Sequence, residues 1–334
     1  MLCVCWIDSV SANKKNKFKH VVYDLSRINE WWLLSLGMVL FAFVPYKYVL
    51  SDRIINYALF TSLLTEPSLY IALIVVFSAQ IFLFASNDYF DRHVDALDTH
   101  KKKRNPVCSG AVTLPGVRVL LIVSGILPLI ASTYFGMWAF VYTAFAMFVF
   151  YFYTAPPLRF KNKVGLDVLS HGIFVNTFPY FFCLVALNDF TVGTTFLLTV
   201  VMMRSTMAQL FQEIRDYEVD KQVERNTVVI LGQRRSLWLV FSVYIGMFAV
   251  TVSLMTSYIL WGWGIQMYYA IILLIWATYI PVFHKLMKAK NLGKSIEKLW
   301  MGQGRTNLWQ AVQYVLAFAL YALFMTFLWF IDYL

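Results

Sequence analysis

The sequence predicts an all-α, polytopic membrane protein, and three observations carry that expectation. Of its 334 residues, 60% are hydrophobic and 14% charged, more apolar surface than a soluble domain of this size can bury. Nine apolar stretches are each long enough to cross a bilayer as a helix, near 31–49, 68–87, 117–134, 136–154, 166–187, 193–213, 236–258, 264–283 and 309–331. Lys and Arg are also asymmetrically placed. With the amino terminus inside, 25 of the 28 lie in the amino-terminal arm or in the loops after spans two, four, six and eight, which is the positive-inside pattern.

In chain order, residues 1–24 read as a basic cytoplasmic arm, with no cleavable signal peptide, and 25–334 as one membrane domain. The net charge of +10 follows the loops of a bilayer protein rather than a nucleic-acid-binding face. Loops on the inner side are long and charged, and those on the outer side are short. Chemistry is therefore expected on the cytoplasmic face, with the carboxyl terminus opposite. Of the cysteines, Cys3, Cys5, Cys108 and Cys183, none shows useful pairing or metal spacing. "HKLMKAKNLGKSIEKLW", from His284 to Trp300, sets Leu286, Ala289, Ile296, Leu299 and Trp300 against a lysine-rich face. It is expected to be a basic helix lying among the headgroups.

Span two runs out into "SNDYFDRHVD" and span six into "QEIRDYEVD". At about 100° per residue, Asp88, Asp91 and Asp95 fall within about 60° of one another on a helix. Glu213, Asp216 and Asp220 repeat the i, i+3, i+7 spacing. Clustered carboxylates at a membrane edge need a cation or they neutralise by taking up protons. An all-oxygen set suits Mg²⁺ or Mn²⁺, which take one or two carboxylates together with waters and substrate phosphates. Asn87 and Gln212 add neutral oxygens. The spacing is not that of an EF-hand loop. The plainer alternative is a pair of solvated helix ends with local salt bridges.

Basic residues accompany the stripes. "HKKKRNPVCSG" carries Lys101, Lys102, Lys103 and Arg104, and "YTAPPLRFKNKVGLD" carries Arg159, Lys161 and Lys163 after a helix-stopping Pro156-Pro157. Both suit an anionic phosphate, and both also suit plain positive-inside charge. Tyr153 is one of several aromatics able to line an isoprenoid slot. His171, Asn176 and Gln209 are polar groups within spans, either packed helix to helix or facing a cavity.

Three stretches, "NDYFDRHVDALD", "YTAPPLRFK" and "RDYEVDKQVERNTVVILG", together resemble the UbiA superfamily of intramembrane prenyltransferases, over about residues 25–330. The resemblance implies nine helices around a central cavity, with the acidic motifs under a cytoplasmic cap. It implies Mg²⁺ held by Asn87, Asp91 and Asp95 on one side and Asp216 and Asp220 on the other, and Asp88 and Glu213 of the same stripes are expected at the metal site as well. Lys103, Arg104, Arg159 and Lys161 would contact diphosphate, and Tyr153, His171, Asn176 and Gln209 would line the substrate pocket. Asn105 stands where many members carry Arg, and span one opens as "LSRINEWW" rather than with Arg-Pro.

The expected activity is Mg²⁺-dependent transfer of a polyprenyl group from its diphosphate to a lipophilic acceptor: aromatic, isoprenoid or lipid. The partners are the polyprenyl diphosphate, that acceptor and the lipid bilayer, with no nucleic acid. Two rivals are phosphoribosyl transfer to a polyprenyl phosphate by the same fold, and a membrane transporter with the acids as an ion path.

Overall fold

The computed structural model describes residues 23–50, 57–96, 99–175, 177–257 and 279–299, and every segment named below lies within them. The described elements are α1 (Ile28–Leu50), α2 (Tyr57–Leu64), α3 (Pro67–Asp95), α4 (Thr99–Arg104), α5 (Leu114–Ser132), α6 (Met137–Thr154), α7 (Leu166–Ser170), α8 (Phe178–Leu187), α9 (Val192–Val223), α10 (Thr227–Leu231), α11 (Gln233–Ser257), α12 (Tyr279–Lys288) and α13 (Leu292–Leu299). Among the described residues, four helices are long and apolar enough to cross a membrane: Pro67–Asp95, Leu114–Phe135, Met137–Thr154 and Gln233–Ser253. The span near 309–331 and most of that near 264–283 lie outside the described residues.

Local chemistry sets the boundaries. Pro67 opens α3, where its missing N–H is no loss. Thr113 caps α5, accepting from Gly116 N–H at 3.4 Å, and Thr191 caps α9, accepting from Thr194 N–H at 3.2 Å. Helix α6 stops at Thr154, just before Pro156-Pro157. α3 and α9 both run past their apolar windows, so each acidic stripe stays on continuous helix.

The fifth span, 166–187, is not one α-helix. It comprises α7, a π-turn at His171–Val175, and α8. Pro179 can offer no N–H to the carbonyl four residues earlier. Hydroxyls bond two carbonyls at the start of the break. Thr177 Oγ1 donates to Gly172 O at 2.6 Å, and Ser205 Oγ donates to His171 O at 2.9 Å. A Cβ on Gly172 would lie 2.3 Å from Thr206 Oγ1, so only glycine lets the turn come this close to α9.

Two apolar cores flank the site. One joins α1, α3, α6, α8 and the first half of α9, with Phe43, Phe150, Phe178, Tyr180 and Phe182 almost wholly buried. The other joins α9 to α11, α12 and α13 through Leu210, Ile214, Leu237, Phe283, Leu286 and Ile296. The basic segment 284–300 therefore differs from the expected single helix among headgroups. It breaks after Lys288, and Arg234 donates to Met287 O at 2.9 Å and to Ala289 O, filling carbonyls at the end of α12. The apolar face is spent on the protein: Leu286, Leu292 and Ile296 are buried, and Gly293 lets α13 sit against the backbone of Arg215. Trp300 lies outside the described residues.

Candidate active site

The ends of α3 and α9 open onto one cavity of about 270 Å³. From α3 it receives Asn87, Asp91 and Asp95, and from α9 Gln212, Glu213, Asp216 and Asp220. The loop after α6 brings in Lys161, α4 brings Lys101 and Arg104, and α13 contributes Ile296. A second layer of wall is apolar: Trp31 and Leu34 of α1, Leu83 and Phe84 of α3, and Phe211 of α9.

The carboxylates are held by ammonium and guanidinium groups. Lys161 Nζ lies 2.6 Å from Asp91 Oδ2 and 2.8 Å from Glu224 Oε1, so one buried cation ties the two acidic helices together. Burial alone would lower the Lys161 pKa, but Asp91 and Glu224 outweigh it and raise it, so the group stays charged. Arg159 adds contacts at 3.2 Å to Asp91 and 3.7 Å to Glu224. Its backbone is left-handed at φ 38°, a strained conformation for arginine that aims the side chain at the acids. On the other helix, Lys101 Nζ is 3.5 Å from Asp220 Oδ1 and 3.9 Å from Asp216 Oδ2. Burial works against the Lys101 charge, and Asp216 and then Asp220 raise its pKa overall. Asp220 lies beyond the apolar part of α9. Burial pushes its carboxyl up to about 6; Lys101 pulls it down, while the neighbouring carboxylates Glu224 and Asp216 push it further up. Asp216 is lowered despite burial, because Arg215 bonds it at 2.8 and 3.0 Å.

Below the acids lies a polar network. Gln209 Nε2 donates to Tyr153 Oη at 3.0 Å and to Glu213 Oε1 at 2.7 Å, while Val228 N–H reaches Glu213 Oε2 at 3.4 Å. The His171 ring stands 6.3 Å from that of Tyr153. Behind them, fully buried Asp167 accepts from the N–H of Thr227 and from Thr227 Oγ1 at 2.5 Å. Thr227 Oγ1 in turn accepts from Gly165 N–H at 2.8 Å. This clasp ties the Lys161 loop to the segment after α9.

The model of the UbiA prenyltransferase family matches residues 54–304, most of the chain. The chain belongs to the UbiA prenyltransferase family. Relatives and solved structures agree. The chain is 30% identical over 164 residues to a lycopene elongase/hydratase of Haloferax volcanii, a match covering 48% of this chain and 52% of that protein. It is 32% identical over 121 residues to a lycopene elongase/hydratase of Halobacterium salinarum, covering 34% and 40%. The chain thus spans about half the length, or less, of the curated relatives it matches. A UbiA homologue from Archaeoglobus fulgidus bound to DMAPP and Mg²⁺ superposes with a TM-score of 0.66 at 16% identity, over 89% of this chain and 98% of that one. That likeness carries the fold. The protein is an all-helical, integral membrane member of the family.

Within this UbiA fold, most residues singled out in the sequence line the cavity: Asn87, Asp91, Asp95, Glu213, Asp216, Asp220, Arg104, Lys161, Tyr153, His171 and Gln209. Arg159 stands just behind, on Asp91. Two are placed elsewhere. Asp88 is fully buried, pairs with Arg27 and does not line the cavity. At i+3 from Asp88, Asp91 faces the cavity, while Asp88 is sealed against Arg27 just ahead of α1. Lys103 is exposed and outside the lining. Asn176 lies outside the described residues.

Arg104, expected on the diphosphate, lines the cavity and bonds Glu30, which sequence reasoning passed over, at 2.6 and 2.7 Å. Asn105 is a buried pin. Its Nδ2 donates to Asp88 O at 2.9 Å and to Asp95 Oδ2 at 2.8 Å, and its Oδ1 accepts from Val107 N–H at 2.9 Å. An arginine there would lack the accepting oxygen. Glu224, the shared counter-ion of Lys161 and Arg159, lies one turn beyond the expected stripe, at i+4 from Asp220. The stripe's own periodicity was the signal that could have found it.

The donor set fits a hard divalent cation. Every ligand candidate offers oxygen, and the Lys101 ammonium already stands between Asp216 and Asp220 as a stand-in charge. Among the described residues no three or more His, Cys, Asp or Glu side chains are gathered closely enough to hold an ion by themselves. Mg²⁺ commonly takes part of its shell from substrate phosphate and water.

Proposed function

We propose that this UbiA-family protein moves a prenyl group from an allylic diphosphate to a lipophilic acceptor, releasing diphosphate with Mg²⁺ or Mn²⁺ as cofactor. We read it as nine helices around the cavity, with cap and amino terminus cytoplasmic and the carboxyl terminus opposite. The observation that carries the reading is the joint lining of one cavity by two acidic rows, the bases that neutralise them, and an aromatic wall just beneath. A metal-ion path across the membrane would need acids along the helices, whereas these gather at one end.

Asn87, Asp91 and Asp95 on α3 and Asp216 and Asp220 on α9 would hold the metal, which supplies charge stabilisation to the departing diphosphate oxygen. Lys161, Arg159 and Lys101, freed in part from their carboxylates, meet the diphosphate oxygens. The C–O bond breaks with its electron pair going to diphosphate, leaving an allylic cation. Trp31, Phe84 and Tyr153 flank that cation with π faces and keep water from it. The curated relatives act on lycopene by name, which favours an isoprenoid hydrocarbon as acceptor here and a prenyl donor over a phosphoribosyl one.

The test uses full-length protein in nanodiscs with Mg²⁺, labelled dimethylallyl diphosphate and lycopene. Diphosphate release and a labelled lipid-soluble adduct are expected. D91A and D216A each lower release by about 10² or more, measured on protein whose folding is checked by its thermal midpoint. Full activity in both variants rejects the metal assignment.

A further inference from the structure

The cavity has a base that ionisation does not use. When an allylic cation is captured by a carbon acceptor, or collapses by itself, a proton has to leave carbon. The groups at the acidic rows are engaged: Asp91 by Lys161 and Arg159, Asp216 by Arg215. Glu213 accepts from Gln209 and from Val228 N–H. His171 differs. It lines the cavity and is 7% exposed; its Nδ1 is sealed within protein with no hydrogen-bond partner among the described residues, so the ring edge open to the cavity is the one carrying Nε2. It is also the one imidazole among the lining residues.

Its depth is suited to carbon rather than to phosphate. The Tyr153 ring beside it is bonded to Gln209, seven residues before Asp216 on α9, about 10 Å of helix rise. On the facing helix, the same step back from Asp91 reaches Phe84, beside Leu83. At this level the walls are Leu83, Phe84, Trp31, Gln209 and the Tyr153–His171 pair, where the hydrocarbon end of a diphosphate ester would lie if its head occupied the acidic rows. The backbone locks the ring's place. His171 begins the π-turn, its carbonyl is held by Ser205, and Gly172 presses against Thr206. Single π-turns of this kind recur at functional sites.

We infer that His171 is the proton acceptor of the cavity: its imidazole takes the proton that leaves carbon as the cation is quenched. The inference rests on the proposed prenyl transfer. In the balanced step, the C–O pair departs with diphosphate. The acceptor's π pair forms the new C–C bond, and the adjacent C–H pair becomes the new double bond as its proton moves to the imidazole lone pair. With no acceptor present, the dimethylallyl cation loses a methyl proton to the same nitrogen and becomes the diene isoprene. Capture by water gives the C5 alcohol instead. The proton leaves later with the diphosphate product.

That acceptor-free partition is the experiment. Full-length wild type, H171Q and H171N in nanodiscs receive Mg²⁺ and dimethylallyl diphosphate alone, and diphosphate, isoprene and C5 alcohols are measured. Wild type is expected to give isoprene. In both variants the isoprene-to-alcohol ratio should fall about tenfold or more, a larger change than any in the rate of diphosphate release. An unchanged ratio overturns the inference and assigns the proton to a diphosphate oxygen. Loss of diphosphate release in both variants, with thermal midpoints held, overturns it by placing the ring at the ionisation step. Absence of Mg²⁺-dependent diphosphate release from wild type overturns the proposed function and the inference with it. Release from wild type with an unchanged ratio in the variants overturns the inference alone.

Discussion

Lys101 makes the most discriminating test of the electrostatics. Its ammonium lies 3.5 Å from Asp220 and 3.9 Å from Asp216, with 30% of the side chain exposed. A unit pair at 3.5 Å is worth about 1–5 kcal/mol between effective dielectrics of about 80 and 20. Partial exposure favours the lower end. Mg²⁺ entering this row must overcome that attraction or share the site with a like charge. K101A should therefore bind Mg²⁺ more tightly than wild type in the absence of substrate, by about 1–2 kcal/mol, or about 5- to 30-fold. Calorimetric titration of metal-free protein in nanodiscs measures it, with exposed Lys102→Ala as the control that should not move. Turnover should shift the opposite way, because the same ammonium is then missing from the diphosphate. Equal or weaker Mg²⁺ binding by K101A would refute the argument that the ammonium stands in the metal's place.

Three further outcomes follow from the same geometry. Asp220, held at about 6 by burial, must be a carboxylate to bind metal, so protons compete below that pH. Mg²⁺ affinity should weaken about tenfold from pH 7 to pH 5, and D220N should flatten that dependence. T227V keeps the side-chain shape but removes the 2.5 Å bond to Asp167 and the 2.8 Å bond from Gly165 N–H. It should destabilise by about 1–3 kcal/mol in thermal unfolding and raise the KM for diphosphate ester more than it alters kcat. G172A drives a methyl to 2.3 Å from Thr206 Oγ1 and should cost about 1–3 kcal/mol. G172A/T206A should recover part of that loss, and strict additivity of the two changes would count against the contact.

The helices and the acidic rows were legible because their signals are local. A twenty-residue apolar window and an i, i+3, i+7 spacing need no knowledge of neighbours. What stayed hidden depends on which face a partner covers. Asp88 and Asp91 look alike in sequence, yet one is sealed against Arg27, just ahead of α1, and the other opens to the cavity. Lys101 and Lys103 belong to one basic run, and the helical turn of α4 sends one to Asp220 and the other to solvent. The break at His171–Val175 lay inside an apolar stretch whose composition favours a continuous helix. It was settled by Pro179 and by hydroxyls from elsewhere in the fold.

The cation network connects these points. Lys161 bonds Asp91 on α3 and Glu224 just past α9, so the two acidic helices are cross-linked by a charge that a diphosphate would also need. A buried pair broken on one side alone is strongly unfavourable. Diphosphate that draws both Lys161 and Arg159 toward it leaves Asp91 uncovered unless another cation takes their place. Binding of anion and of divalent metal must then be mutually reinforcing, each relieving the charge the other leaves uncovered. The reciprocity is thermodynamic: whatever factor Mg²⁺ adds to diphosphate affinity, diphosphate adds to that of Mg²⁺. Glu224, which sits on the far side of Lys161 from Asp91, is the residue through which that coupling should be weakened without removing an α3 or α9 acid from the rows.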